Sequence, residues 1–150
     1  MATTTSRTEF QSSELSRNSA AVFESAEKHP VKVTRRDAEP LVLMSERESE
    51  ARQKLFHFAA DLIAVTTDDR GTLTERMTAH FPWMLALSES DRETCTAELV
   101  NAARASFATE QPHLAVATFT SWKETAAALA AGLRASPVEW LDPGTVLERP

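Results

Sequence analysis

Two small groups of side chains in the first quarter of the chain have the clearest chemical potential. Arg17 and Asn18 stand side by side, and Lys32, Arg35 and Arg36 follow after a proline. A guanidinium presents a fork of N–H donors that matches phosphate oxygens, and an asparagine can read an adenine edge through a pair of hydrogen bonds. Residues of these types together suit recognition of a nucleic-acid duplex. The competing reading is a solvated face on which the same cations pair with Glu14, Asp37 and Glu39.

Side chains for bond-making chemistry are present but scattered. His29, His57, His80 and His113 lack Cys or carboxylate partners at ligand spacing, so no metal site is expected. Three glycines in the whole chain leave no phosphate-cradling loop of the usual type. Cys95 falls on an apolar helical face and reads as a small core residue rather than a nucleophile. Asp68 and Asp69 read as a solvated linker. The expectation is a protein with no cofactor and no catalytic residues, not an enzyme.

A third group is apolar. Trp122, Leu129, Leu133, Trp140 and Leu141 lie near the C-terminal end, where large aromatic and aliphatic side chains suit anchors for a partner protein. They equally suit the closing face of a helical bundle, above all Trp122. Trp140, set between Pro137 and Pro143 in an extended tail, is the better anchor.

At 150 residues with 42% apolar residues, the chain can hold one domain or a small domain with an extension. The net charge of -6 is unevenly spread. Residues 1–36 carry Arg7, Arg17, Lys28, Lys32, Arg35 and Arg36 against four glutamates, while the remainder carries ten basic and eighteen acidic residues. A mildly basic head on an acidic body fits a duplex at one end and a basic partner at the other. The single cysteine permits no intrachain disulfide, and no run approaches the roughly 18 apolar residues of a membrane span. A cytoplasmic protein without membrane contact is expected.

The elements that must position these groups follow from periodicity and punctuation. Residues 1–8 are polar and loose. Glu9–Gln11 can form a short strand, and Ser12 or Ser13 can cap the short helix that ends near Arg17. Val22, Phe23 and Ala26 mark a second helix, which Pro30 stops. Val31 and Val33 alternate with polar residues, a half-buried strand. Leu41–Met44 is continuously apolar and is expected to be the more buried partner. Ser45 with Glu48 predicts a capping box and a helix of about six turns to Thr66. Further boxes are expected at Thr72 with Glu75, Ser90 with Glu93, and Ser121 with Glu124. Residues 113–120 fit strand or helix, with helix preferred, and Gly132 and Pro137 close the last helix.

Three stretches together resemble the N-terminal domain of the Phd/YefM antitoxins of bacterial type II toxin–antitoxin modules. They are Ser13-Glu14-Leu15-Ser16-Arg17-Asn18, Pro30-Val31-Lys32-Val33-Thr34-Arg35-Arg36, and Leu41-Val42-Leu43-Met44-Ser45-Glu46-Arg47-Glu48. The resemblance covers roughly the first 60 residues. It implies a dimerising YefM-like domain over residues 9–66; with the mostly helical region over 67–134 and the extended tail over 135–150 that the pattern alone predicts, the expected fold class is α+β. By matching positions it implies DNA contacts from Arg17, Asn18 and Arg35, with Ser13 and Arg36 beside them; Lys32 is a candidate by residue type alone. The implied partners are a second copy of the chain, a palindromic operator and a cognate toxin. The toxin would be held by Trp122, Leu129, Leu133, Trp140 and Leu141. Ser16, Ser19 and Asp37-Ala38 depart from the family pattern. They keep two alternatives open: an orphan regulator with this head, and an interaction module without DNA binding.

Overall fold

The computed structural model describes residues 6–133 and is α+β, mostly helical with one small sheet. Strands β1 (Glu9–Gln11), β2 (Val31–Thr34) and β3 (Leu41–Leu43) lie in the order β1-β2-β3. The first pair is parallel, with Phe10 level with Val33, and the second antiparallel, with Lys32 level with Val42. A parallel pair needs a long crossover. Here α1 (Glu14–Arg17) and α2 (Ser19–Lys28) supply it. The proline after His29 disfavours helical backbone at the residue before it, and His29 is extended at φ -162°.

Val22 and Ala26, four residues apart on α2, meet Phe10 and Val31 in the core of this head. Phe23 is about 100° round the helix from Val22 and is 51% exposed, so the expected three-residue face is a two-residue one. The two strands also reverse their expected roles. Val31 and Val33 are buried, whereas Leu41 and Val42 are 53% and 63% exposed. A continuous apolar run signals a strand covered on both faces, but β3 is the sheet edge and one copy of the chain covers neither face fully.

The rest is a helical bundle of α3 (Glu46–Thr67), α4 (Leu73–His80), a 3-10 turn (Pro82–Ala86), α5 (Glu89–Thr109) and α6 (His113–Ala130). Its core joins Phe58 and Val65 of α3 to Met77, Met84, Leu99 and Ala126 from the later elements. The two apolar clusters therefore divide between β3 and α3, upstream of the expected boundary at residue 67. Phe81 and Trp83 meet the Phe119 ring edge-on at 5.4 and 5.6 Å. Edge-to-face geometry suits the ring quadrupoles.

The helix starts test the expected caps one by one. Thr72 and Glu75 form the full reciprocal box. Ser45 Oγ accepts from the Glu48 N–H at 3.1 Å, but the Glu48 carboxylate turns to Arg52 and His113 instead of back to Ser45. α5 begins after Ser88, whose Oγ accepts from the Asp91 N–H, and not after Ser90. Both serines are followed three residues on by an acid, and the start falls at the one next to buried Leu87. Ser121 lies inside α6, which is continuous from His113. Ala115, Phe119, Trp122, Ala126 and Leu129 keep helical phase straight through it. The preference for helix over residues 113–120 is borne out.

α6 takes its cap from a neighbour. Pro112 has no side-chain acceptor, and Ser106 of α5, buried, accepts from the Ala115 N–H at 3.0 Å. This satisfies one of the orphan donors of the first turn.

Candidate nucleic-acid interface

Because β1 and β2 run parallel, the chain leaves both at the same end of the sheet. The Ser12 N–H donates to the Thr34 carbonyl at 2.9 Å and closes that end. From it depart α1, with Ser13, Arg17 and Asn18, and the β2–β3 loop, with Arg35 and Arg36. All five are exposed. Lys32 is set apart from them, on the sheet face opposite Val31 and Val33 and level with Glu9 on one side and Val42 on the other.

The electrostatics of this end depend on a residue pair that charge counting alone does not single out. The Glu14 carboxylate accepts from both Arg7 Nη atoms, at 2.7 and 2.8 Å, and from the Gln11 N–H at 2.8 Å. Arg7 also lies over the Phe10 ring, 4.3 Å from its centre. The Arg7 hydrogen bond, followed by that from Gln11, holds the Glu14 carboxyl below its ordinary range. The start of α1 is organised by this carboxylate and not by a serine: neither Ser12 nor Ser13 makes a side-chain cap, which corrects the expected serine N-cap. The sequence signal was an arginine and a glutamate flanking a short strand, so that chain reversal brings them together.

Glu14 is thus paired with Arg7 and leaves Arg17 alone. Among the described residues Arg17, Lys32 and Arg36 make no ion pair or side-chain hydrogen bond, so the pairing with Glu14, Asp37 and Glu39 that the competing reading requires is not formed. Arg35 differs. Its Nε and Nη2 both donate to the Glu39 carbonyl, at 2.9 and 2.6 Å, which clamps the β2–β3 loop. Asn18 sits between α1 and α2 with its N–H donating to the Glu14 carbonyl at 2.8 Å and its side chain free of any cap. One end of the head therefore offers two unpaired cations, an amide and a hydroxyl, with a third guanidinium fixed close by.

The described members of the apolar group, Trp122, Leu129 and Leu133, do not form one free surface. Trp122 is half-buried against the bundle core, and its Nε1 donates to Glu98 of α5 at 2.7 Å. Leu129 packs on the same core, while Leu133, just past α6, is 68% exposed. Trp140 and Leu141 lie outside the described residues. Cys95 is buried, and burial followed by the Glu98 charge pushes its thiol up to about 12. His80 and His113 tie helices together through Asp61 at 2.9 Å and Glu48 at 2.6 Å. Among the described residues no three ligating side chains converge as a metal would require, and no helix there is long and apolar enough to cross a membrane.

No family model matches the chain, and neither the curated proteins nor the solved structures hold a match to it.

Proposed function

We propose that this chain is an antitoxin of the Phd/YefM type, in which a dimer of the head binds operator DNA and the C-terminal part holds a toxin. The observation that carries the reading is the convergence of Ser13, Arg17, Asn18, Arg35 and Arg36 at one end of a strand-helix-helix-strand-strand unit, with Arg17 and Arg36 unpaired. The uncovered β3 edge supports the dimer, because a head with so few buried side chains gains stability by covering Leu41 and Val42. Action is by stoichiometric binding and repression, with no chemistry of its own.

The test is binding of the full chain to the DNA upstream of its own reading frame, followed by anisotropy across a salt series. If Arg17, Arg35 and Arg36 each meet one phosphate, a dimer makes about six contacts and log K falls against log salt with a slope near roughly -5. Binding that is absent, or that lacks salt dependence, rejects the DNA half of the reading and leaves an interaction module. The toxin half is tested separately, by co-purification with the product of an adjacent reading frame.

One observation favours a second reading. Trp122 and Leu129, expected as partner anchors, pack within the bundle, which suits an orphan regulator with a folded C-terminal domain. Limited proteolysis of the free protein separates the two. A regulator keeps residues 113–133 intact without a partner, and an antitoxin protects the C-terminal part only in complex.

A further inference from the structure

α3 and α6 lie side by side with their first turns joined by the Glu48–His113 bond, and a half-open cleft of about 530 Å³ runs between them. That volume is within the roughly 300–1,000 Å³ of small-molecule sites. Its floor is apolar and partly aromatic: Leu55 and Phe58 from α3 and Val116 and Phe119 from α6, with the two rings 5.3 Å apart. Its rim carries two lysines and two carboxylates, and they differ in how many are already engaged. Lys54, His57 and Lys123 line it without any ion pair or side-chain hydrogen bond among the described residues. Of the two rim carboxylates, Asp61 already accepts from His80 at 2.9 Å, and only Glu124 is left to answer the lysines.

An apolar floor with two unpartnered ammonium groups at its lip, against one unpartnered carboxylate, suits a carboxylate carried on an aromatic body. We propose that this cleft binds an aromatic monocarboxylate, the ring system lying against Phe58 and Phe119 and the carboxylate meeting Lys54 and Lys123. The site is in the bundle and owes nothing to the head residues, so it stands or falls apart from the DNA and toxin reading.

The experiment is calorimetric titration of the full-length protein with 1-naphthaleneacetate, its neutral amide, and 1-naphthylmethylamine. The acid is expected to saturate one site per chain, with the amide about tenfold weaker and the amine weaker still. Lys54→Ala with Lys123→Ala should bring the acid down to the affinity of the amide and leave the amide unchanged. Val116→Trp, which fills the cleft, should abolish both, and an unaltered thermal melt shows that the variant is folded. The exposed lysine variants keep the test valid if it is not.

Any of four results overturns the proposal. They are no saturation by about 5 mM acid, equal affinity for acid and amide in the parent protein, preference for the amine, or an acid isotherm that the lysine variants do not change. Light scattering on the same samples covers the remaining occupant: a probe that binds only as a dimer dissociates would assign the cleft to a second copy of the chain.

Discussion

At the scale of single residues, the arginines of this protein divide into those that hold backbone and those that do not. Arg76 donates to the carbonyls of Val65 and Gly71, Arg92 to those of Met84 and Leu85, and Arg35 to that of Glu39. Arg17 and Arg36 have no such duty among the described residues. Removing Arg36 should therefore lower the salt slope of DNA binding by about two per dimer, one per protomer, without altering the thermal melt. Arg35→Ala should lower the slope by a similar amount and in addition loosen the loop it clamps, seen as faster amide exchange at residues 36–39. A slope untouched by Arg36→Ala removes that residue from the interface.

Glu48 gives a residue-scale prediction of a different kind. Burial by itself would raise its carboxyl, but the hydrogen bonds from His113 and then Arg52 outweigh it and hold the group below its ordinary 4.5. A carboxylate lowered in the fold adds stability that is complete above its unfolded value and lost as the pH falls through its folded one. The tie between α3 and α6 should weaken as the pH falls below that ordinary value and through the lower one the group has in the fold. Glu48→Gln has no such group to titrate, so its denaturation midpoint should lie below that of the parent at pH 7 and converge with it at low pH. Parallel curves across that range would show that the bond contributes nothing.

At the scale of elements, the cap supplied to α6 by Ser106 predicts more than a local effect. Ser106→Ala removes the acceptor and leaves the Ala115 N–H buried, at a cost of about 1–3 kcal/mol by chemical denaturation. Ser106→Thr keeps the oxygen and is expected to restore part of the loss. A change below about 0.5 kcal/mol in Ser106→Ala would mean that the N–H finds water. This cap also marks where sequence reading stops. Caps made within one segment were legible, as Thr72 with Glu75 shows in full and Ser45 with Glu48 in half. Caps made across segments were not, because nothing in the spacing of Ser106 and Ala115 distinguishes them from other residues at the same separation. Strand existence was likewise legible from the Val31–Val33 alternation and from Pro30. The burial of β3 was misjudged because apolar composition says that a strand wants cover and not whether its own chain supplies it. The Arg7–Glu14 pair left a weaker trace than a cap within one segment, opposite charges flanking a short strand, because the contact also depends on how β1 turns into α1.

At the scale of the whole molecule, two of the apolar surfaces exposed among the described residues compete as the contact of the proposed dimer. One is the β3 edge with Leu41 and Val42; the other is the outer face of α3, where Phe56 and Ile63 stand seven residues apart at 76% and 64% exposure. An edge strand with an open row of backbone groups pairs readily with a second copy, and a charge placed on it blocks that pairing. Val42→Lys sits on the open sheet face beside Lys32, so it adds a like charge at the edge while leaving Val31 and Val33 packed. If the head dimerises through β3, this variant should sediment as a monomer at micromolar concentration, and its DNA salt slope should fall to about half the parent value, since each protomer would then make only its own roughly three phosphate contacts. The bundle should melt as before, because its core lies in a separate cluster. Phe56→Lys is the opposing arm: loss of the dimer there, with Val42→Lys still dimeric, assigns the contact to α3. A dimer joined through α3 would leave each head to meet the duplex without a β3 partner, and the paired-head arrangement would fail even if DNA binding survived.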